Sequence, residues 1–182
     1  MESGRDRAWP HEMSTGKPTK LVRNLLLEAF QTEQSAKSHC AREAKRLGTT
    51  PPGTAMRAAS EHASGTLGKL DAFAKARGLE GHSQGRTLGR MLSMIRELST
   101  DLFLSEEKSY RGTLMGMQHG KGVFLFLEDT AIANGDQELA DLCHTWLERR
   151  VPILADAEQD LAWFAENPEI AATRAALLAA PH

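Results

Sequence analysis

Hydrophobic residues recur at intervals of three and four along four long stretches of the chain, a spacing typical of amphipathic helices. Glycine, proline and capping residues such as Gly48, Gly78 and Asp136 separate these stretches and predict where each helix ends. The stretches cover residues 18–47, 54–77, 102–133 and 136–164. The pattern therefore predicts an all-α protein with four long helices.

The segment between the second and third stretches has a different pattern. Residues 78–89 are typical of a loop, and the apolar spacing of residues 88–98 predicts a short helix. Helices joined directly as neighbours need only about two to eight residues, so this longer connection has room to cross one end of a bundle or to run along it. We expect an up-down-up-down four-helix bundle over residues 18–166. A flexible segment, 1–17, should precede it, and a short C-terminal helix or tail, 167–182, should follow.

Two features interrupt the helical pattern. Gly112, Gly116 and Gly120 recur at every fourth residue of the third stretch, and each costs a helix about 1 kcal/mol relative to alanine. We expect a smooth strip that another helix or a second subunit approaches closely, and the alternative is a break around residues 118–122. In the fourth stretch Pro152 predicts a kink near Glu148.

Composition limits the classes of function. The 182 residues are 41% hydrophobic and carry 22 basic and 24 acidic side chains, as expected for one globular domain without a strong electrostatic field. We therefore expect neither a nucleic-acid nor a membrane partner. Residues 1–17 contain no apolar run, so a cytoplasmic location is the default. Cys40 and Cys143 lie within apolar stripes and should be buried and reduced.

Long antiparallel helices with a longer connection between the second and third resemble the ferritin-like superfamily, in particular its small bacterial stress-associated members of unknown activity. The resemblance covers about residues 18–165 and rests on architecture. It implies a bundle-core site for two iron or manganese ions, held by one Glu from each of two helices and a Glu-x-x-His from each of the other two.

Carrying this pattern onto the chain gives an incomplete site. Glu33 interrupts the apolar stripe of the first helix, and the third helix offers Glu107 or its neighbour Glu106. The second helix has Glu61 directly followed by His62, and adjacent side chains on a helix point about 100° apart. The fourth has the sequence Asp-Leu-Cys-His in place of Glu-x-x-His. The candidate metal ligands are Glu33, Glu61, His62, Glu107, Asp141 and His144.

Each candidate also has a structural interpretation. Glu33 pairs with an arginine, a lysine or His39 under the interpretation that we favour, and the other acidic and histidine residues lie on solvated faces. No other catalytic motif is recognisable. We expect a non-catalytic or degenerate ferritin-like bundle without a cofactor, which acts as a stress-response or interaction protein and forms a homo-oligomer.

Two alternative functions stay open. The first is a metal-binding oxidoreductase that holds iron or manganese at a non-standard site in the bundle core. The second is a helical adaptor whose acidic fourth helix, with Asp156, Glu158 and Asp160, binds a basic partner.

Overall fold

A computed structural model describes residues 19–79 and 105–173. Over these ranges the protein is all-helical, with no strand, and four long helices pack against each other. No helix in the described part is long and apolar enough to cross a membrane. The expected flexible segment, the short connecting helix and most of the C-terminal tail lie outside the described residues. The helices are α1 Lys20–Leu47, α2 Pro51–Ala76, α3 Glu106–Ala133, α4 Gln137–Gln159, α5 Leu161–Glu166 and α6 Pro168–Ala172.

Local capping chemistry sets the boundaries of the first two helices. The hydroxyl of Thr19 accepts a hydrogen bond from the backbone N–H of Val22 and caps α1, which ends at Gly48 with a φ of 64°. Thr50 caps α2, and Pro51 follows as its first residue. A proline suits this position because the first turn of a helix needs no backbone N–H. α2 therefore begins three residues earlier than its apolar pattern predicts.

α3 is one continuous helix, so the alternative of a break around residues 118–122 is wrong. A Cβ atom built on Gly120 would lie 3.4 Å from Thr32 of α1, which confirms a close helix approach at this glycine. A Cβ atom built on Gly112, Gly116 or Gly122 would have no neighbouring atom within 4 Å outside its own stretch of helix. The other glycines of the strip are therefore not needed for packing among the described residues.

α4 continues through Pro152, whose side chain is exposed. The carbonyl group that loses its helical donor to this proline, that of Glu148, also belongs to an exposed residue and has access to water. The expectation that this helix reaches Phe164 is wrong. The chain turns at Asp160 and restarts as α5, where Phe164 packs against Tyr110 of α3 with ring centroids 5.1 Å apart.

α1 runs antiparallel to both of its neighbours, α2 and α3. Thr32 of α1 lies against Gly120, and eleven residues later Glu43 accepts a hydrogen bond from Ser109. Residue numbers rise along α1 as they fall along α3, so the two helices are antiparallel. The three-residue turn 48–50 makes α1 and α2 antiparallel as well.

α4 likewise runs antiparallel to α2 and α3. Arg150 contacts Ala59 near the start of α2, whereas Asp136 at the start of α4 pairs with Arg77 at the end of α2. Since α1 is antiparallel to both α2 and α3, those two helices run in the same direction. The predicted up-down-up-down order is therefore wrong.

The connection between α2 and α3 explains this difference. Ser105 lies at the end of the helices where α1 turns into α2, whereas Leu79 lies at the opposite end. A helix as long as α2 spans about 40 Å at 1.5 Å per residue. The connection was predicted either to cross one end of the bundle or to run along it, and the up-down-up-down order requires the first of these. Its two ends, Leu79 and Ser105, lie at opposite ends of the helices, so that order does not form.

The apolar core is divided into two clusters. One is formed by the first half of α1, the end of α2, the second half of α3 and the first half of α4, and the other by the remaining halves together with α5. Between the clusters lies a layer of buried residues, polar or glycine, to which all four long helices contribute. We call this set the middle layer, and its members are Thr32, Glu33, Thr66, Gly120 and Arg150.

The tight turn between α1 and α2 generates the first prediction. A Cβ atom on Gly53 would lie 2.5 Å from the carbonyl oxygen of Gly48, so Gly53→Ala must displace backbone. We expect a loss of about 1–3 kcal/mol in the free energy of unfolding. The control, Gly65→Ala, has open space around the new methyl group and should gain up to about 1 kcal/mol. Urea unfolding followed by circular dichroism measures both changes. An equal gain in unfolding free energy for the two variants would contradict the close contact between Gly53 and the carbonyl oxygen of Gly48.

Candidate functional site

An ion pair between Glu33 of α1 and Arg150 of α4 lies at the centre of the molecule. Nη2 of Arg150 donates to both carboxylate oxygens of Glu33, at 3.0 and 2.7 Å. Each side chain is only 1% exposed. The interpretation of Glu33 as the partner of a basic residue is therefore confirmed.

The guanidinium group of Arg150 links three helices. Its Nη1 donates to the backbone carbonyl oxygen of Ala59 in α2 at 3.2 Å, and its central carbon lies 5.2 Å from the centre of the Trp146 ring. Planar guanidinium groups combine hydrogen bonding in the plane with stacking on aromatic faces. Arg150 therefore ties α1, α2 and α4 together from within the core.

Burial controls the acid–base properties of this region. Burial raises the pKa of Glu33, and the positive charge of Arg150 opposes that change. Burial also raises the pKa values of Cys40 and Cys143 to about 12. Both cysteines are buried and form no disulfide, as predicted. Since the thiolate is the reactive form of cysteine, neither thiol is suited to act as a nucleophile.

His62 is a further titratable side chain near the ion pair. Its ring centroid lies 6.0 Å from that of Trp146, and its Nδ1 atom is buried without a hydrogen-bond partner in the described part of the chain. Burial lowers the pKa of His62 to about 4, and the charges of Arg150 and Arg149 act in the same direction. The imidazole is therefore neutral at neutral pH.

The first turn of α3 places Glu106, rather than the predicted Glu107, on the inner side. Ser105 caps the helix, and Glu106 is buried one residue later. Glu107 is partly exposed and pairs with Arg111 one turn along the same helix. The choice of Glu107 as an inward ligand is therefore wrong.

The candidates of α2 and α4 point mainly outward. Glu61 is exposed, and so is Asp141, which accepts a hydrogen bond from Gln137 at 2.6 Å. His144 is exposed and lies between two carboxylates, 3.0 Å from Glu128 and 3.5 Å from Glu148.

The structure thus turns only Glu33 and His62 of the six predicted ligands toward the interior. Among the described residues, no three His, Cys, Asp or Glu side chains are grouped so that they could hold a metal ion. The reason is the helical phase: Asp141 and His144 flank the buried stripe of α4, which contains Cys143, Trp146 and Arg150.

A second buried polar cluster lies near the end of the helices where α1 turns into α2. Arg46 pairs with Glu43 and lies 2.7 Å from a carboxylate oxygen of Glu106. It also donates to the hydroxyl of Ser109 at 3.1 Å, and that hydroxyl donates to Glu43 at 2.8 Å. Burial raises the pKa values of Glu43 and Glu106, and Arg46 opposes both changes. This cluster fastens α1 to the start of α3.

Sequence reasoning missed Arg150, Arg46 and Ser109. A signal for Arg150 exists, because it lies four residues after Trp146 and four residues before Leu154, both of which belong to the apolar stripe of α4. A charged residue on a buried stripe needs a partner, and Glu33 occupies the equivalent kind of position in α1. The two interruptions together predict an ion pair across the core.

No known protein family, curated protein or solved structure matches this chain.

The central ion pair generates the second prediction. Glu33→Leu or Arg150→Met leaves one charge buried without its partner, and each should cost about 3–5 kcal/mol of unfolding free energy. The double variant should lose less than either single variant, because no unpaired charge remains. Urea unfolding of all four proteins measures the coupling, with Asp71→Ala in an exposed pair with Lys75 as the control. Additive losses would show that the two charges are not coupled.

His62 generates a pH prediction. Between about pH 6.5 and pH 4 the unfolded chain binds a proton at His62 that the folded protein excludes, so the free energy of unfolding falls as the pH is lowered. His62→Phe should reduce this slope, and thermal unfolding at a series of pH values measures it. His39, whose pKa burial also lowers to about 4, contributes to the slope that remains. An unchanged slope in the variant would contradict the assignment to His62.

Proposed function

We propose that this chain is a degenerate ferritin-like helical bundle that works by binding other protein chains and not as a metal-dependent oxidoreductase. The observation that carries the proposal is the Glu33–Arg150 ion pair in the middle layer. The ion pair supports a structural role for Glu33, the carboxylate of the middle layer.

The directions of the helices support the ferritin-like part of the proposal. α2 and α3 run the same way, and the chain between Leu79 and Ser105 joins opposite ends of the helices. Ferritin-like bundles contain one long crossover connection, whereas up-down-up-down bundles contain only short loops.

The composition of the middle layer supports the degenerate part. Active ferritin-like proteins bring carboxylates and histidines from four helices together on two cations. Here the middle layer has one carboxylate, and the guanidinium group of Arg150 supplies the positive charge beside it. A cation bound at Glu33 would have to displace this ion pair and would leave Arg150 buried beside a second positive charge, which is strongly unfavourable.

Exposed apolar residues on α3 support the interaction role. Met115 is 67% exposed and Phe126 52% exposed, although both belong to a helix whose other side is fully packed. The two side chains lie on the same side of α3 about three turns apart, and a contiguous exposed apolar surface is typical of protein interaction sites. A stress-response role and a cytoplasmic location stay predictions, as does a basic partner for the acidic residues of α4.

The test is the metal content of the full-length, untagged protein after loading with iron, manganese or zinc. We expect substoichiometric metal by elemental analysis and no change in thermal stability, because the carboxylate of Glu33 is already neutralised.

Near-stoichiometric metal would overturn the proposal, and two variants locate it. Loss of the metal in the Glu33→Leu/Arg150→Met double variant would place the site in the core. Loss only in Asp141→Asn/His144→Gln would place it on the outer side of α4.

A further inference from the structure

The outer side of α3 carries a second regular pattern, separate from its buried stripe. Eight exposed positions alternate in steps of four and three residues, which keeps them on one line along the helix. We call this line the α3 seam, and it consists of Lys108, Gly112, Met115, His119, Gly122, Phe126, Asp129 and Ala133.

His119 of the seam lies 3.2 Å from Glu28 of α1, but other features of the seam have no explanation within the described part of the chain. Met115 and Phe126 expose more than half of their surface to water. Gly112 and Gly122 have open space where a Cβ atom would stand, so no described neighbour requires glycine there. Each glycine nevertheless costs the helix about 1 kcal/mol relative to alanine. Glycines along an exposed seam allow the backbone of another helix to approach closely.

We infer that the α3 seam packs against the α3 seam of a second copy of this chain, with the two helices antiparallel about a two-fold axis. The inference rests on the proposed interaction role and names the partner of that surface. A two-fold contact brings the same patch of both copies together, so the patch must be complementary to itself.

The seam is complementary to itself if the two-fold axis passes beside the midpoint between Gly120 and Lys121. The seam of the second copy then runs in the opposite direction past that point. Met115 and Phe126 are equally distant from that midpoint, so each Met115 lies opposite Phe126 of the second copy. Thioether and aromatic side chains make favourable contacts. His119 lies opposite Gly122 of the second copy, where the absence of a side chain leaves room for the imidazole ring.

The charges along the seam favour the antiparallel direction. Lys108 lies near the amino end of α3 and Asp129 near its carboxyl end, and both are exposed. Reversal brings each Lys108 within about one helical turn of Asp129 of the second copy, whereas a parallel contact would place like charges together. The helix dipoles oppose a parallel pair in the same way.

The size of the contact predicts its strength. One helix pair gives an interface at or below about 1,200 Å² in total, which is the low end for specific association. We therefore expect a reversible dimer with a dissociation constant on the order of micromolar.

Sedimentation velocity of the untagged full-length protein, over about 1 to 200 µM, tests the association. We expect a monomer that converts to a dimer as the concentration rises. Phe126→Asp should weaken the dimer by more than about tenfold, since it places a charge opposite Met115. Ala72→Asp adds the same charge to an exposed site on α2, which does not neighbour α3, and should leave the dimer unchanged. Circular dichroism verifies that both variants are folded.

Cross-linking tests the direction. Arg111 and Ile132 flank the seam, face each other across the antiparallel pair, and are both exposed. The native cysteines are buried and have raised pKa values, so an introduced exposed cysteine reacts selectively with a short bismaleimide. Mixing Arg111→Cys chains with Ile132→Cys chains should give mainly links between positions 111 and 132, identified by mass spectrometry.

The outcomes separate this inference from the proposed function. A protein that stays monomeric over the whole range overturns the inference, as does a dimer that Phe126→Asp leaves intact. Links only between identical positions overturn the antiparallel arrangement. A metal-loaded core would overturn the proposed function whatever the oligomeric state.

Discussion

The pairing of two buried charges constrains the rest of this structure. Removing a carboxylate and a guanidinium group from water costs several kcal/mol per ion, and the cost is offset only when the partners meet in good geometry. Glu33 and Arg150 meet this condition, with both carboxylate oxygens engaged and Ala59 accepting a further hydrogen bond. Any shift of α4 relative to α1 or α2 would break one of these contacts. The ion pair therefore fixes the positions of α1, α2 and α4 relative to one another. Apolar packing alone would specify these positions less strictly.

The same pair gives the core its layered form. Above and below it the four helices contribute apolar residues, and between the two clusters each helix has at least one interruption, a buried polar residue or a glycine. In α3 the interruption is Gly120, which lets Thr32 of α1 approach at van der Waals distance. At this layer the guanidinium group of Arg150 carries the positive charge beside the carboxylate of Glu33.

The lengths and faces of the helices were predictable because they depend on local chemistry. Periodic apolar residues, the caps Thr19 and Asp136, and glycines with positive φ at positions 48, 78 and 135 define most boundaries. The prediction failed where two local signals compete. Pro51 and Pro52 predict the end of one helix but begin the next. Pro152 lies on an exposed side of a helix that continues through it, and the kink there stays a prediction. In α3 the buried side of the helix includes Glu106, one residue before the predicted Glu107.

The sequence by itself determined that the described part of this protein is helical, where the apolar stripe of each long helix lies, and that Glu33 interrupts such a stripe and needs a partner. Arg150 interrupts the stripe of α4 in the same way, but local periodicity does not show that two residues 117 apart in the sequence meet across the core. Only the tertiary structure decided the directions of α2 and α3, since a long connection is compatible with either end of the helices. It also decided that the six predicted ligands do not converge, because their placement depends on the rotation of each helix about its own axis.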